Sequence, residues 1–452
     1  MPDALAAVDR RAIRREILLL AWPVVLQALL RTVMFLVDTY MLGLYSKHAL
    51  AAIALVGPVA HTLTMVLAAL GTGTLATIAR ATGAKDRPLQ EQEAATSVTL
   101  GAGAGLALGA ACAPLFPHFG LLFSSATPAL AGACSDFLGW MALAIPFTLM
   151  SSCASAVLRA TGDTRTPLYV GIVANVINVA GNWILIFGKF GAPEMGVAGA
   201  GLSTAIALAV EGLLLTAVLF RPRAAIRLGA ASFRRVTGGS MRRLLRVSLP
   251  AAVEPLLLQV GFLIFIQMMG RLGENALAAH RVAVAVESIS FMPGWGLSIA
   301  CGAIVGQYLG AKRADKAAAT LRESVRLALG FTGVFAVILV LFAEPMTRLF
   351  VQDPEVVRAS VGCLRVASLE QILLSTALVI GGALRGAGDT RSPVVVGLIG
   401  VWGVRLPLSY VFAFTLGLGI VGAWTVMLID WAARTATFVL FWRRGRWKTL
   451  EL

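Results

Sequence analysis

Four polar side chains stand out because they lie inside otherwise apolar stretches of the chain: Asp38, Asn178, Asn182 and Thr204. Asn178 and Asn182 are four positions apart, so in a helix they share one face. Together the four residues offer a carboxylate, two amides and a hydroxyl, and oxygen atoms of this kind are the ligands that hard cations prefer. We therefore predict a site for a proton or Na⁺, with Ser203 as a further member beside Thr204.

The stretches around these residues have the composition of membrane spans. Of the 452 residues, 58% are hydrophobic and 13% are charged, whereas a soluble domain averages about 45–50% apolar and about 25% charged residues. Too few charges are available to cover a globule of this size, which excludes an ordinary cytosolic enzyme and a disordered chain. At roughly 20 residues per span, the chain accommodates about a dozen transmembrane helices.

Twelve apolar segments are long enough to be membrane helices, and the predicted fold class is all-α integral membrane. They are expected near residues 16–42, 49–79, 95–115, 130–157, 167–188, 196–220, 247–270, 277–308, 325–343, 360–383, 393–415 and 419–441. An even number of spans places both termini on the same side of the bilayer.

The chain also repeats itself. The sequence LRATGDTRTPLYVG, which begins at Leu158, returns as LRGAGDTRSPVVVG at Leu384, 226 positions later. The tripeptide GAK at Gly83 likewise returns at Gly310, after 227 positions. Each copy holds six predicted spans, so the second copy enters the membrane in the same direction as the first.

This repeat predicts the domain organisation. We expect two parallel, pseudo-symmetric six-helix lobes around a central cleft, formed by residues 1–220 and 247–452. A basic cytoplasmic linker over residues 221–246 joins them and contains eight arginines. Repeats of this kind are typical of transporters that alternate access by moving one repeat against the other.

The GDTRTP and GDTRSP segments are predicted to be joints between helices. In the first copy, Gly162 suits a helix end, Asp163 can cap the next helix, and Pro167 fits in its first turn. The equivalent residues of the second copy are Gly388, Asp389 and Pro393. These residue types favour a structural role over a catalytic one for both aspartates.

Comparison of the two copies shows which polar residues the scaffold itself does not require. At the repeat offset, three members of the first copy have apolar counterparts in the second: Asp38 aligns with Phe265, Asn178 with Val404 and Asn182 with Leu408. Because polar groups are costly inside a membrane, their retention in one copy indicates a function.

Two structural alternatives remain open at this point. Asp38 lies seven residues after Arg31, on nearly the same helix face, and the two side chains are candidates for an ion pair. For Asn178 and Asn182 the alternative is a structural role, in which they only hold helices together through interhelical hydrogen bonds.

The second copy carries its own polar groups within the spans. Glu254 follows Pro250 by one turn and is a second candidate for a substrate or proton site, with Gln259 and Arg405 as further candidates. For Arg405, pairing with an acidic residue is the alternative. Asp430 and Arg434 are four positions apart and are expected to pair with each other. The roles of Glu211, Glu287 and Glu370 are left open.

Most of the positive charge is predicted to orient the protein. The net charge is +15, and 28 of the 38 lysines and arginines lie at the termini, in the linker or in the loops on the same side. Short loops rich in Lys and Arg stay cytoplasmic, so both termini are predicted to lie inside the cell, in a multi-pass protein of the inner (plasma) membrane. Anionic lipid headgroups are the expected partner of this charge, and no nucleic acid is expected.

The sequence contains no pattern typical of a catalytic or metal centre. Its five cysteines lie within apolar spans without metal-ligand spacing, and its four histidines are scattered. No phosphate-binding loop of the G-x-x-x-x-G-K-[ST] type is present in the sequence, which argues against an ATP-driven pump. We expect neither an enzyme nor a bound cofactor.

Several motifs together resemble the multidrug and toxic compound extrusion (MATE) family of prokaryotes. They are AWPVVLQALLRTVMFLVDTYMLGLYSKHALAAIALVGP, the two LR-x-x-GDTR-[TS]-P segments, LPAAVEPLLLQVGFLIF, ALAAHRVA and the closing RWK. The resemblance covers nearly the whole chain, and the fifth span is similar to that of the DinF-like branch.

The resemblance implies a cation-coupled antiporter that exports organic, often cationic amphipathic compounds by alternating access. It implies a coupling site at Asp38, with H⁺ as the preferred ion and Na⁺ as an alternative at Asp38 and Asn178. It also implies a monomer that binds small organic substrates. A major-facilitator-type exporter and a lipid-precursor flippase of related fold remain the alternatives.

The chain departs from the family pattern in two places. DinF-like proteins often carry an Asn and an Asp one turn apart in the fifth span, whereas this sequence has Asn178 and Asn182 and thus a single carboxylate at the site. In the NorM-like branch an acidic residue in the seventh span contributes. Here the nearest match is Gln259, and Glu254 lies more than one turn earlier.

Overall fold

The computed structural model describes residues 10–116, 118, 128–222 and 224–450, and its regular secondary structure there consists of helices without a strand. The predicted all-α fold is confirmed. The α-helices are α1 Arg10–Tyr45, α2 Lys47–Gly83, α3 Arg87–Cys112, α4 Pro128–Ala160, α5 Arg165–Phe187, α6 Gly196–Val218, α7 Ala230–Arg234, α8 Gly238–Arg271, α9 Glu274–Gly310, α10 Ala314–Arg348, α11 Pro354–Gly386, α12 Arg391–Gly397, α13 Leu406–Tyr410 and α14 Gly419–Arg443.

Each of the twelve predicted spans overlaps one long helical stretch. The eleventh is Arg391–Thr415, in which α12 and α13 alternate with π-helical turns at Leu398–Arg405 and Val411–Thr415. Ten helical stretches of the described chain are long and apolar enough to cross a membrane. The helix α9 meets the same criterion as a bent pair of segments, Glu274–Ser288 and Ser290–Gly310.

The last span, α14, carries charged residues within an otherwise apolar helix. It contains Asp430 and Arg434, and both residues are buried. Their charges lower the mean hydropathy of a helix that otherwise has the length of a span. Asp430 and Arg434 therefore make contacts inside the protein.

The chain folds into two compact units. The N unit is Leu26–Ala252, and the C unit combines the residues up to Val25 with those from Val253 onward. Both boundaries fall inside helices, α1 and α8, and they are 227 positions apart, which is the offset of the sequence repeat. The lobes and linker derived from the sequence remain predictions.

One central helix organises each unit, and the two are equivalent in the repeat. In the N unit α4 packs against α2, α3 and α6, and in the C unit α11 packs against α9, α10 and α14. A Cβ atom on Gly386 would lie 2.0 Å from the carbonyl oxygen of Gly302, so the backbones of α11 and α9 touch there. Small residues thus allow the central helix to approach its neighbours closely, as in other membrane bundles.

The two predicted joints are confirmed as helix caps. Asp163 accepts hydrogen bonds from the backbone N–H of Thr166 at 2.9 Å and from its hydroxyl at 2.6 Å. Asp389 does the same for Ser392, at 3.0 and 2.6 Å. Each aspartate follows a glycine with positive φ, +93° in the first copy and +88° in the second, which is a conformation that favours glycine.

Candidate functional site

The four polar residues predicted in the first copy lie side by side in the N unit. The Nδ2 atom of Asn182 donates to Asp38 Oδ1 at 2.5 Å and to Asn178 Oδ1 at 3.3 Å. Asn178 Nδ2 in turn donates to the hydroxyl of Thr204 at 3.2 Å. The hydroxyl of Ser203 donates to the backbone carbonyl of Asn178 at 2.8 Å. These contacts form one hydrogen-bonded network that runs from the carboxylate to the hydroxyls, and we call it the Asp38 network.

Three helices position the Asp38 network. Asp38 lies on α1, the two asparagines lie one turn apart on α5, and the hydroxyls lie on α6. The small residue Gly181 brings α5 and α6 together, since a Cβ atom there would lie 2.5 Å from Ser203 Oγ. The sequence therefore places a glycine where the two polar helices must meet.

Accessibility differs along the network. Asn178 and Asn182 are 0% exposed and Ser203 is 1% exposed, whereas Asp38 and Thr204 keep part of their surface accessible. Asn182 Oδ1 is buried and accepts no hydrogen bond from the described residues. The network therefore has an accessible carboxylate at one end and an unused acceptor next to it.

The alternative role of Asp38, a structural ion pair with Arg31, does not match the geometry. Arg31 Nη2 donates instead to Glu211 Oε1 at 3.1 Å. Within the described ranges Asp38 receives the hydrogen bond from Asn182 and takes part in no ion pair. A carboxylate without a cationic partner inside a membrane helix is expensive, and such groups mark ion or substrate sites.

The C unit fills the equivalent place with apolar and aromatic groups. Phe265, the counterpart of Asp38, is 0% exposed, and its ring packs edge-on against His280 at a centroid distance of 5.5 Å. His280 also packs against Trp424, at 5.7 Å. The counterparts of the asparagines are Val404 and Leu408. The fold therefore accepts apolar side chains at these three positions, and the Asp38 network occurs in the N unit only among the described residues.

A Na⁺ ion at this site would need amide and hydroxyl ligands. No three His, Cys, Asp or Glu side chains of the described residues are grouped so that they could hold a metal ion. Around Asp38 the further oxygen atoms come from Asn178, Asn182 and Thr204. This donor set suits a hard cation, but it supplies a single negative charge.

The candidates from the second copy lie in the C unit and are already paired. Glu254 bonds to Arg385, with 2.7 Å between Oε1 and Nη2. Arg405 donates to Asp430 Oδ2 at 2.7 Å. The third candidate, Gln259, is partly buried on α8. Two of the three residues thus stabilise internal contacts, which weakens their candidacy as substrate ligands.

Asp430 is the centre of a buried charged cluster in the C unit. Arg434 donates to both of its oxygens, at 2.6 Å from Nε and 2.9 Å from Nη2, which confirms the expected pair. With Arg405, two guanidinium groups share one carboxylate that is 0% exposed. A Cβ atom on Gly400 would lie 2.2 Å from Arg434 Nε, so the glycine makes room for this cluster.

Two buried glutamates of the C unit, Glu287 and Glu370, have no role predicted from the sequence. Gln371 Nε2 donates to Glu287 Oε1 at 2.8 Å, and Glu287 is 6% exposed. Glu370 is 0% exposed, and neither of its oxygens accepts a hydrogen bond from the described part of the chain. The contact between Glu287 on α9 and Gln371 on α11 could not be derived from the sequence, because it depends on how two distant helices pack.

Long apolar helices, a tandem repeat and a carboxylate network inside one unit define a multi-pass membrane transporter. The family model MatE matches the chain twice, at residues 23–184 and 250–411, and both limits differ by the repeat offset of 227. The chain therefore belongs to the MATE family, whose members are transporters and not enzymes. The match also confirms the internal repeat and excludes the major-facilitator alternative.

Relatives of this chain cover almost its whole length. It is 34% identical over 445 residues to the "Probable multidrug resistance protein NorM" of Thermotoga maritima, covering 96% of this chain and 93% of that protein. It is 28% identical over 413 residues to the "Multidrug resistance protein PmpM" of Pseudomonas aeruginosa, covering 90% and 85%. The assignment to a DinF-like branch remains a prediction.

The fold is shared with solved transporters. A structure described as the outward-facing conformation of a multidrug resistance MATE family transporter of the MOP superfamily superimposes with a TM-score of 0.89 at 19% identity, covering 97% of both chains. A transporter of this superfamily from Pyrococcus furiosus superimposes with a TM-score of 0.87 at 20% identity, covering 96% of both chains. At these identities the likeness concerns the fold.

Proposed function

We propose that this protein is a cation-coupled antiporter that exports organic, often cationic amphipathic compounds, with H⁺ as the preferred coupling ion. The observation that carries the proposal is the Asp38 carboxylate, which is bonded to Asn182 and paired with no cation in the described chain. The names of the relatives, which refer to multidrug resistance, support the substrate class.

The chemistry of Asp38 suits an exchange of a proton for a cation. The ionised carboxylate accepts the Asn182 N–H and attracts a cationic compound or a proton to its accessible side. Once protonated, it carries no charge and can donate its own hydrogen to an acceptor. Asn182 Oδ1, which is buried and unused, is such an acceptor next to it.

Protonation therefore changes both the charge of the site and the direction of its hydrogen bonds. Because Asp38, Asn182 and Thr204 lie on three different helices, this rearrangement changes contacts between α1, α5 and α6. Proton and cationic substrate must then compete, and by linkage each lowers the affinity for the other. A proton that enters from outside releases the substrate there, which gives export.

Na⁺ is the second candidate for the coupling ion. Asp38 and Asn178, with Thr204 beside them, supply the oxygen atoms that a Na⁺ site needs. A single carboxylate at the site favours the proton, because a proton needs one acceptor whereas Na⁺ needs several ligands. Na⁺ binding therefore requires oxygen ligands from the neighbouring amides of Asn178 and Asn182, whereas proton binding does not.

We place the transporter in the inner (plasma) membrane with both termini cytoplasmic, because its basic loops fall on one side. We also propose that it acts as a monomer, with small organic compounds and the lipid bilayer as its partners. The MatE match favours export of such compounds over the flipping of lipid precursors.

The coupling ion can be tested in proteoliposomes loaded with a cationic dye such as ethidium. A proton gradient and a Na⁺ gradient are imposed separately. We expect the proton gradient alone to drive dye movement, and a tenfold gradient exchanged one for one supports at most about a tenfold dye gradient. Protein-free vesicles under the same gradients are the control, and a response to Na⁺ alone would reject the preference for H⁺.

A further inference from the structure

A second polar contact of the N unit involves a guanidinium without a carboxylate partner. Arg159, in the last turn of α4, donates from Nη2 to Gln27 Oε1 at 2.7 Å. Gln27 is 4% exposed and donates from Nε2 to the backbone carbonyl of Pro167 at 3.2 Å. Arg159 Nε is buried and has no hydrogen-bond partner in the described structure. The neutral amide of Gln27 therefore accepts from one guanidinium nitrogen of Arg159, Nη2, while Nε has no acceptor among the described residues.

The sequence repeat provides the reference for this contact. Arg385 is 226 positions after Arg159, and Glu254 is 227 positions after Gln27. In the C unit these two residues form an ion pair, with 2.7 Å between Arg385 Nη2 and Glu254 Oε1. Glutamate and glutamine have the same shape, so the N unit keeps the geometry of the pair and omits its negative charge.

The neighbouring residues do not supply the missing charge. Arg31 lies one turn after Gln27 on α1 and takes the carboxylate of Glu211, which is 5% exposed. Arg159 and Arg31 both lie beside Gln27, Arg159 through its hydrogen bond and Arg31 one turn further along α1. Among the described residues Glu211 is bonded to Arg31 and not to Arg159, so the cluster of Arg31, Arg159 and Glu211 carries one excess positive charge.

An excess positive charge in a low-dielectric environment is costly unless an anion compensates it. Arg31 keeps about half of its side chain accessible, at 49%, so the cluster is not closed. Guanidinium groups recognise carboxylates through paired N–H donors, and two of them at one site favour this ligand. The chemistry of the cluster therefore fits an anionic group of a bound molecule.

We propose that Arg159 and Arg31 form a subsite for the carboxylate of zwitterionic amphipathic substrates. The inference rests on the proposed function, in which Asp38 receives the cationic group. Asp38 is seven residues after Arg31 on α1, a distance of about 10 Å along the helix axis. A compound whose amine and carboxylate are held apart by a ring system can contact both sites.

The test uses two dyes that differ in one group. Rhodamine 110 carries a free carboxylate, and rhodamine 123 is its methyl ester and is purely cationic. Binding of both dyes to the purified protein in detergent is measured by fluorescence anisotropy, for the wild type and for Gln27→Glu. This substitution installs the carboxylate that the C unit already holds at Glu254, so a folded product is expected.

We expect Gln27→Glu to weaken the binding of rhodamine 110 by about tenfold or more, because the new carboxylate neutralises Arg159 and one ion-pair interaction corresponds to roughly 1–2 kcal/mol. Binding of rhodamine 123 should change little or become tighter. Gln27→Met is the matched control: like Gln27→Glu it loses the hydrogen bond to the Pro167 carbonyl, and it also loses the acceptor for Arg159, but it adds no charge. It should leave the ratio of the two affinities near the wild-type value.

Two outcomes would overturn the subsite. Equal losses for both dyes in Gln27→Glu and Gln27→Met would mean that Gln27 has a packing role only. Failure of the wild type to bind rhodamine 110 while it binds rhodamine 123 would mean that the cluster takes no carboxylate. Failure to bind or transport rhodamine 123 at all would instead reject the proposed function, so the two failures are distinguishable.

Discussion

Asp38→Asn is expected to reduce gradient-driven dye efflux to the rate of protein-free vesicles, and to leave the protein folded. Asparagine keeps the size of the side chain but can neither bind a proton nor balance a cation. The hydrogen bond from Asn182 loses its charged acceptor, and the network then has two adjoining amides that can still bond to each other. Efflux from proteoliposomes measures the effect, and monodispersity in size-exclusion chromatography measures folding.

The matched control for this variant is Asp315→Asn. The carboxylate of Asp315 is also bonded, but its partner is Arg313 on the surface. The Asp315 side chain is 40% exposed. Surface pairs contribute about 0–1 kcal/mol, so efflux should stay close to the wild-type rate. Wild-type efflux by a well-folded Asp38→Asn protein would eliminate this residue as the coupling site.

Asp430→Asn is expected to have the largest effect on stability. Asp430 accepts hydrogen bonds from Arg405 and from both Nε and Nη2 of Arg434, and it is fully buried. Removal of one partner from a buried ion pair costs about 3–5 kcal/mol, because the opposite charge stays buried without compensation. Here two guanidinium groups lose their shared carboxylate. A lower unfolding temperature in detergent and a lower yield in the membrane should follow.

A surface pair on α10 provides the comparison for Asp430. Glu344 and Arg348 are one turn apart and bond at 2.8 Å, and both side chains are at least half exposed. Glu344→Gln should change the free energy of unfolding by less than about 1 kcal/mol. A second variant, Asp430→Asn with Arg434→Met, should recover part of the lost stability, since it removes one uncompensated charge. Equal unfolding temperatures for Asp430→Asn and the wild type would contradict the buried cluster.

The course of the twelve spans could be predicted because hydropathy alone specifies helices in a bilayer. The joints were also predictable, since the Gly-Asp pairs at 162–163 and 388–389 have the residue types of a helix end followed by a cap. The π-helical turns of the eleventh span were not. Gly400, in the first of these turns, faces Arg434 and Asp430 of α14, and this contact between positions distant in sequence results from packing.

The Asp38 network was predictable from the contrast between the two copies. The sequence showed polar groups at three places where the second copy is apolar, and these groups meet in the structure. Ion-pair partners were harder to predict. Arg31 and Asp38 lie on the same helix face, but seven residues separate them by two turns, and Arg31 instead reaches Glu211 on α6.

The contact of Arg159 with Gln27 was missed for a different reason. Arg159 is one of the basic residues whose position predicts the orientation of the chain in the membrane, and Gln27 is an uncharged residue of the first span. The signal was nevertheless present in the repeat, in which Glu254 and Arg385 are the counterparts. A contrast between polar and apolar counterparts does not reveal this pair, because Gln27 and Glu254 are both polar.

The central claim, that a proton and a cationic substrate compete for Asp38, is tested most directly by substrate affinity as a function of pH. Binding of tetraphenylphosphonium to the purified protein is measured over the range in which the protein stays monodisperse. We expect the wild-type affinity to fall as the pH is lowered, by up to about tenfold per pH unit, because protonation removes the negative charge. Asp38→Asn should bind weakly and without this pH dependence. The same pH dependence in the wild type and in Asp38→Asn would contradict the claim.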